Sequence, residues 1–249
     1  MQSTHRRLKY LFHNGFLGRI SPFIQPGQGS GELAYCLDKE GFKLLEEQNE
    51  KLLSRAINKK VKHYFLDHAL AISEFRVNLE LALLNHPTVE MARFTAEFEV
   101  KSHIQKIVNK RSYKLYDEII HPIDKKSYVV EPDALIVLKG KGRYTDVQNL
   151  YFVEIDRHTE SLSKIRRKII GYNLYFKQKA FAKFGKFDRF KVLFQTNSEK
   201  RTQNIWKSLV DMEGSRLVWI AESCQVNEQT ILHSPIWLNS QAERRSILK

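Results

Sequence analysis

The amino-acid sequence predicts an α/β (α+β) fold with a mixed central sheet flanked by helices. Two observations predict it. Short segments of alternating apolar and polar residues, rich in β-branched and aromatic side chains, lie between longer segments with helical periodicity. After residue 60 these segments follow the order helix, three strands, helix, strand. With 42% hydrophobic residues in a chain of 249, there is enough apolar surface for a core.

The first 60 residues predict a partial winged helix-turn-helix. Residues 4–13 form a basic helical stretch that ends before Gly15, and strand segments at 16–24 and 32–37 flank a glycine-rich tip. Asp38 can then cap a short helix. In this interpretation the hairpin is the wing and the first helix is the recognition helix. Its basic side chains are predicted to contact DNA: Arg6, Arg7 and Lys9. A small solvated α/β cap is the alternative, because a winged helix normally has two helices before this point.

The polar, charged segment 46–60 predicts a helix that leads into a linker. We therefore expect a winged-helix-like DNA-binding region with its linker at 1–60 and a second domain at 61–249. The second domain begins with a long helix at 63–85, which Pro87 ends. The apolar stripe of this helix is predicted to contain Leu66, Ala69, Leu70, Ser73, Val77, Leu81 and Leu84.

The remaining elements of the second domain are predicted by the same patterns. The strands are expected at 89–100, 128–138, 150–156, 190–195 and 216–221. Helices are expected after the third and fourth of these strands, at 160–184 and 198–212. The polar tail after Ser240 is expected to be frayed.

The composition favours a polyanion as partner. The chain has 41 Lys and Arg against 28 Asp and Glu, a formal net charge of +13. Because each basic side chain that neutralises a phosphate releases a condensed counterion, nucleic acid is the first expectation. No long apolar run and no signal peptide is found, so we expect no membrane insertion and a cytoplasmic location. Cys36 and Cys224 lie too far apart in sequence to indicate a disulfide framework or a structural zinc site.

Two of the predicted strands end in pairs of carboxylates. Glu131 and Asp133 lie in the second strand of the domain, and Glu154 and Asp156 lie in the third. A period of two puts the members of each pair on one face. Carboxylates that converge within a basic protein suit Mg²⁺, a hard cation that takes oxygen ligands and keeps several waters. The pattern predicts the metal site of a nuclease, with acidic strand ends that face solvent as the alternative.

This arrangement resembles the PD-(D/E)xK restriction-endonuclease-like nucleases, through the Pro-Asp pair that ends at Asp133 and the third-strand acids Glu154 and Asp156. In the family pattern a lysine stands two residues after the third-strand acid, where it orients water and stabilises charge on the phosphate. Here that position is Asp156. The following basic helix can supply the lysine, because Lys168 lies about 80° from the centre of its apolar face, nearer than Lys164 at about 120°.

The segment from Glu154 to Glu160, followed by Lys168 and Tyr172, is similar to the signature of the replication-relaxation family, in which a winged helix precedes a nuclease-like domain. Within that family the chain most resembles the MobC-type relaxases of mobilisable plasmids. The resemblance implies a relaxase that nicks one strand of supercoiled, double-stranded plasmid DNA at an origin of transfer, with Mg²⁺ or Mn²⁺ as cofactor. It also implies relaxosome and coupling proteins as partners.

The same resemblance implies catalytic roles for four residues. Asp133 and Glu154 would be metal ligands, and Asp156 a third ligand or an outer-shell acid. Lys168 would be the base that stabilises charge. A further acidic ligand is expected from the first strand or the long helix, with Glu97 preferred. The alternatives for that ligand are Glu99, Glu74 and Glu80.

Other residues near the expected site are candidates for binding. The expected DNA contacts in this domain are Arg157, Thr159, Lys164 and Tyr172. His68 can serve near the site or be an ordinary half-buried residue of an amphipathic helix.

Three other functions are compatible with parts of the pattern. A catalytically inactive plasmid DNA-binding replication or relaxosome accessory protein is favoured by Asp156 at the expected lysine position. A type II restriction enzyme would cut both strands. Relaxases with a tyrosine nucleophile bind their metal through a histidine triad. Because the sequence has no His-x-His pair, we expect no covalent tyrosine adduct.

Overall fold

The structure, a computed structural model, describes residues 2–20, 33–47, 63–96, 105–107, 110–112, 115–158 and 160–248. The chain divides into two compact units, Met1–Asp67 and His68–Lys249. The predicted domain limits and the winged-helix interpretation of the first unit stay predictions. None of the described helices has the length and apolar character needed to cross a membrane.

The first unit contains a helix, a hairpin and a second helix. Its elements are α1 (Gln2–His13), β1 (Leu17–Ile20), β2 (Ala34–Leu37) and α2 (Lys39–Glu47). Gly15 follows α1 with a φ of 73°, the left-handed conformation that commonly ends a helix. The two strands pair antiparallel, with Leu17 opposite Leu37. The glycine-rich tip predicted between them lies outside the described residues.

The second unit is built around one large sheet. The elements from residue 63 onward are α3 (His63–Leu83), β3 (Val89–Ala96), β4 (Gln105–Ile107), β5 (Lys110–Ser112), β6 (Asp117–Ile120), β7 (Ser127–Val130), β8 (Ala134–Gly140), β9 (Gln148–Asp156), α4 (Leu162–Lys177), β10 (Phe190–Thr196), α5 (Glu199–Leu209), β11 (Val218–Glu222), β12 (Trp237–Leu238) and β13 (Arg244–Arg245). Seven strands form the sheet in the order β13-β12-β11-β10-β9-β8-β3.

The sheet is mixed, as predicted. Strands β3, β8 and β9 are antiparallel neighbours, whereas β9, β10 and β11 run parallel. The parallel pairs need helical crossovers, and α4 and α5 provide them. The α/β prediction, with helices on both sides of a mixed sheet, is therefore confirmed.

A separate core covers each face of the sheet. On one face Phe152 packs in a cluster with Ile165 of α4 and Ile205 of α5. On the other face Tyr151 packs in a cluster with Phe75 of α3 and residues near the C-terminus. Neighbouring residues of β9 thus enter different cores, because side chains alternate along a strand.

The predicted apolar stripe of the long helix is wrong in most positions. Leu70, Val77, Leu81 and Leu84 of that stripe are exposed. The sheet is covered instead by Ile72, Phe75, Leu79 and Leu83. These residues also recur at helical spacing. Because α3 is apolar on more than one side, its periodicity alone did not identify the buried side.

The predicted strand at 128–138 is two strands. β7 and β8 are separated by residues 131–133, where Pro132 has no N–H to donate to a ladder. β7 pairs with β6 in a hairpin of its own, with Val130 opposite Asp117. The hairpin packs on α4, and a Cβ at Gly171 would lie 3.3 Å from the Val129 carbonyl oxygen. Glycine at this position therefore lets α4 approach β7 closely.

Two other boundaries differ from the predictions. α4 ends at Lys177, and a short 3₁₀ helix at Ala180–Phe184 completes the segment predicted as one helix. The tail after Ser240 is not frayed, because β13 pairs with β12 and the Leu248 N–H donates to the Leu232 carbonyl at 2.8 Å. The polar composition of the tail gave no sign of this pairing, because β12 and β13 have only two residues each.

Candidate active site

A cavity of about 490 Å³ opens where β8 begins and β9 ends. These ends meet because the two strands are antiparallel, with Ala134 opposite Val153. The walls contain four kinds of side chain: carboxylates, bases, the ring of one tyrosine and one valine. The lining residues are Val129, Glu131, Asp133, Glu154, Glu160, Lys164, Arg167, Lys168 and Tyr172. The structure thus brings together six residues that the sequence analysis singled out: Glu131, Asp133, Glu154, Lys164, Lys168 and Tyr172.

Glu154 lies at the buried end of the cavity. Its side chain is 2% exposed, and each of its oxygens accepts a hydrogen bond. Lys168 Nζ lies 2.7 Å from Oε2, and the Tyr172 hydroxyl donates to Oε1 at 2.5 Å. Both donors come from α4, where a spacing of four residues puts them on one side of the helix. Lys168 Nζ also lies 3.0 Å from Oε2 of Glu160, so two carboxylates hold this ammonium.

The electrostatics of Glu154 combine opposing effects. Together they raise the pKa of Glu154 to about 7: burial is the largest effect, the Lys168 ammonium opposes it, the neighbouring Asp133 carboxylate adds to the rise, and the hydrogen bonds from Lys168 and Tyr172 lower the pKa. Burial disfavours the Lys168 ammonium, but Glu154, Asp133 and Glu160 outweigh that effect and raise its pKa. Because one charged donor and one neutral donor contact Glu154, we assign it the ionised form above neutral pH.

Tyr172 is a neutral donor in this arrangement. Its ring is buried, and its pKa lies well above the ordinary value because of burial and the adjacent Glu154 carboxylate. The hydroxyl therefore stays protonated and donates a hydrogen bond to Glu154.

Asp133 lies beside Glu154 on the neighbouring strand. The Ile155 N–H donates to Oδ2 at 2.6 Å, and His68 Nε2 lies 2.8 Å from Oδ1. The Asp133 N–H itself donates to the Val153 carbonyl at 2.9 Å, so the residue continues the pairing of β8 with β9. Its carboxylate orientation is therefore set by one main-chain donor and one imidazole from α3.

Asp156 does not line the cavity, although it lies on the same face of β9 as Glu154. Arg201 of α5 holds both of its oxygens, with Nε 2.5 Å from Oδ2 and Nη2 3.2 Å from Oδ1. Nη2 of Arg201 also donates to the Glu160 carbonyl at 2.5 Å. The residue at the expected lysine position thus belongs to a buried ion pair that joins β9, α5 and the segment before α4.

Two bases stand at the rim of the cavity. Lys164 pairs with Glu160 at 2.8 Å and is 64% exposed. Arg167 donates to the Ser127 carbonyl at 3.1 Å, and its guanidinium lies over the Tyr128 ring. Neither a carbonyl nor a ring carries a negative charge, and no carboxylate among the described residues forms an ion pair with Arg167. Lys164 was predicted, whereas Arg167 was not.

The other predicted site residues are spread over the chain. Glu97, Glu99 and Thr159 lie outside the described residues. Arg157 follows β9 directly and is half-buried. Glu74 and Glu80 are exposed on α3, where Glu80 pairs with Arg76 at 2.8 Å. Within the first unit, α1 carries the exposed side chains of Arg6, Arg7 and Lys9.

The donor set for a metal ion is small. Over the described parts of the chain, no three His, Cys, Asp or Glu side chains are grouped as metal ligands. Asp133 and Glu154 remain as a pair of neighbouring carboxylates. Mg²⁺ is often bound through one or two carboxylates, with waters and substrate phosphates as its other ligands. The pair therefore fits such an ion when water and phosphate oxygens complete the shell.

The fold and the cavity define an α/β protein with a buried carboxylate and lysine centre beside exposed bases. Residues 1–189 match the Replication-relaxation family. Because the match covers most of the 249 residues, the chain belongs to this family. Membership points to a role in plasmid replication or relaxation, and hence to DNA. No curated protein and no solved structure matches the chain.

Proposed function

We propose that this protein is a DNA relaxase of the MobC type, a divalent-metal-dependent endonuclease that nicks one strand of plasmid DNA at an origin of transfer. The nick would start conjugative mobilisation, together with relaxosome and coupling proteins. The observation that carries the proposal is the cavity in which Asp133 and Glu154 lie beside the ammonium of Lys168.

The topology around the cavity supports the nuclease interpretation. β3, β8 and β9 form an antiparallel meander, and α4 leads from β9 to the parallel strand β10. The two acids lie on neighbouring central strands, as the PD-(D/E)xK resemblance implies. The lysine differs in origin, since it comes from α4 rather than from the strand.

The residues of the cavity have separable tasks in this proposal. Asp133 and Glu154 would hold Mg²⁺ or Mn²⁺, which when bound polarises a phosphate oxygen and lowers the pKa of a water ligand. Tyr172 orients Glu154, and His68 with the Ile155 N–H orients Asp133. An ammonium in a site sheltered from water stabilises charge that develops on the phosphate.

The rim of the cavity suits a nucleic-acid strand. Lys164 and Arg167 present positive charge next to Lys168. Basic side chains at a cleft attract phosphates and position the backbone, whereas they carry no sequence information. Recognition of a particular origin would therefore need other contacts, for which the basic helix α1 is the candidate.

The experiment is a plasmid relaxation assay. Supercoiled plasmids with and without a candidate origin are incubated with the protein and Mg²⁺ or Mn²⁺, and the products are separated on agarose gels. The proposal predicts open-circular product that depends on the metal and on the origin. Linear product would indicate a restriction enzyme, and supercoiled plasmid that stays intact despite binding would contradict nuclease activity.

A second candidate function is a DNA-binding accessory protein without catalysis. Lys168 is already bound by Glu154 and Glu160, and Asp156 is paired with Arg201. In this alternative the charged centre stabilises the fold and the bases bind DNA. The same assay separates the two functions, because the accessory protein would bind plasmid DNA but never convert supercoiled plasmid to the open-circular form.

A further inference from the structure

A second basic pocket lies on the other face of the sheet. It encloses about 460 Å³ and is formed by β10, β11, β13 and the segments next to them. Its basic residues are Lys191, Arg216, Arg244 and Arg245, and Trp219 forms part of its wall. All of these residues follow residue 189, where the family match ends.

The register of the sheet separates this pocket from the candidate active site. Lys191 pairs with Tyr151, and Phe194 pairs with Glu154. Lys191 therefore lies three residues from the partner of Glu154, or about 10 Å along the strand. Tyr151 and Trp219 pack with the core on the α3 side, whereas Glu154 faces α4. Side chains alternate between the two faces of a sheet, so the pocket and the candidate active site lie on opposite faces.

The positive charge of the pocket is only partly compensated. Lys191 Nζ donates to the Arg216 carbonyl at 2.6 Å, and Arg244 Nη1 donates to the Ile236 carbonyl at 3.0 Å. These acceptors carry no net charge. Among the described residues, Glu243 provides the one carboxylate paired with these bases, through Arg245. Three of the four cations thus have no anionic partner there.

The cations of the pocket also repel one another. Lys191 Nζ is held 5.4 Å from the centre of the Trp219 ring. Burial, followed by the charges of Arg189 and Arg245, lowers the pKa of Lys191. An anion bound between these side chains would relieve that repulsion. Lys191 is already positioned by the ring and the carbonyl, so binding costs it little conformational freedom.

We propose that this pocket binds phosphate groups of a DNA backbone and so gives the protein a DNA contact distinct from the cleavage cavity. Exposed guanidinium groups bind phosphates through two parallel hydrogen bonds, which favours arginine at such sites. The inference rests on DNA as the partner in the proposed function and needs none of its cleavage chemistry.

The test is DNA binding in EDTA, so that cleavage has no effect on the result. Fluorescence anisotropy measures the affinity for a short labelled duplex over a series of salt concentrations. The variant R216Q/R244Q removes two pocket charges, and K200Q/K207Q removes two exposed charges of α5. Each lost phosphate contact reduces the slope of log K against log salt by about 0.9. We expect a slope reduced by about 2 in the pocket variant and a wild-type slope in the control.

Other outcomes overturn the proposal. A wild-type slope in R216Q/R244Q, or an equal loss in both double variants, would show that the pocket makes no specific contact. Titration with pyrophosphate tests for a free phosphate ligand. If R216Q/R244Q lost pyrophosphate binding while its DNA binding stayed unchanged, the pocket would be assigned to a small anion. The single variant R216Q, which removes an exposed side chain, should reduce the slope by about 1 while the far-ultraviolet spectrum stays unchanged.

Discussion

Glu154 is a buried carboxylate whose two oxygens have different donors. Lys168 and Tyr172 reach it from successive turns of one helix, a spacing visible in the sequence. Glu160 holds the same lysine from the segment before that helix. Helical periodicity in the sequence placed Lys168 near the acids, where the structure has it. Tyr172 was expected as a DNA contact, but it is buried and donates to Glu154, and nothing in the sequence indicated that Glu160 shares Lys168.

Arg201, the partner of Asp156, was not predicted by any pattern in the sequence. It lies 45 residues from Asp156, and α5 reaches β9 only after β10 has paired with β9. No local pattern near Asp156 predicts a guanidinium. The departure from the expected lysine therefore has a structural explanation: the residue anchors α5 through a buried ion pair.

Removing Arg201 should destabilise the fold strongly. In R201M the buried Asp156 carboxylate loses its partner, a change that costs about 3–5 kcal/mol. The control R245M breaks a solvent-exposed pair and should leave the free energy of unfolding close to that of the wild type. Urea unfolding followed by circular dichroism measures both values. Equal stability of R201M and R245M would contradict the assigned role of the buried pair.

Tyr172 is predicted to support the site without forming a covalent bond to DNA. Y172F removes the hydroxyl donor to Glu154, a hydrogen bond to a charged group that contributes about 1.5–3 kcal/mol. Nicking should fall but stay measurable in the plasmid assay. Complete loss of nicking by a folded Y172F, together with a DNA adduct trapped at Tyr172 in the wild type, would establish a tyrosine nucleophile instead.

At the scale of elements, α3 covers the sheet with a side that periodicity alone did not identify. Leu79 is 1% exposed and Leu81 is 50% exposed, although both belong to apolar rows of the same helix. Hydrophobic spacing gave the position of the helix. Its rotation depends on the sheet, whose strands come from residues later in the chain.

The rotation of α3 can be tested with two equal truncations. L79A leaves a cavity in the core and should cost about 2–5 kcal/mol. L81A removes the same atoms from an exposed surface and should change stability by about 0.5 kcal/mol or less. Thermal or urea unfolding compares them. A larger loss in L81A than in L79A would support the stripe predicted from the sequence and contradict the structure.

The end of α3 is joined to the segment before β12 by two histidines. His86 Nε2 lies 3.1 Å from His233 Nε2, and the rings are stacked. His86 Nδ1 accepts from the Val89 N–H at 3.1 Å. Its proton is therefore on Nε2, which leaves His233 Nε2 as the acceptor. A proton added to His86 would go to Nδ1, where it would oppose the Val89 N–H and leave two donors facing each other.

This histidine pair should make the fold sensitive to acid. Burial, His233 and Lys141 lower the pKa of His86 below its ordinary value of 6.5. The unfolded chain therefore binds the proton more readily, and stability is lost as the pH falls below about 6.5. In H86N an amide oxygen can replace Nδ1 as acceptor without this titration. We expect the melting temperature of H86N to fall less than that of the wild type between neutral pH and pH near 5.5; an equal fall would contradict the assignment.

For the whole molecule, the order of elements was more predictable than their limits. Alternating strands, helical periodicity and Ser198, which caps α5 through the Arg201 N–H, are local signals. The break at Pro132 was also a local signal. The segments on both sides of it have the composition of strands, so they were predicted as one strand. The pairing of β12 with β13 and the antiparallel pairs β4–β5 and β6–β7 join strands that are neighbours in sequence. These strands have only two to four residues, too few to show an alternating pattern.

The charge of the molecule and its family agree on DNA as the partner. A net charge of +13 favours a polyanion. Two separate regions of the second unit concentrate positive charge, the rim of the candidate active-site cavity and the pocket beyond the family match. Acidic side chains are concentrated at the cavity between β8 and α4, where the proposal puts the chemistry.

In the proposed function, Glu154 and Asp133 carry out metal-dependent nicking of plasmid DNA. The most direct measurement compares the nicking rates of the wild type, E154Q, D133N and the surface control E228Q on supercoiled plasmid, with DNA binding followed by anisotropy. We predict a loss of about 100-fold or more in E154Q and D133N, with DNA binding retained and E228Q unchanged. Wild-type nicking by a folded E154Q, or no nicking by the wild type with either metal, would contradict the account.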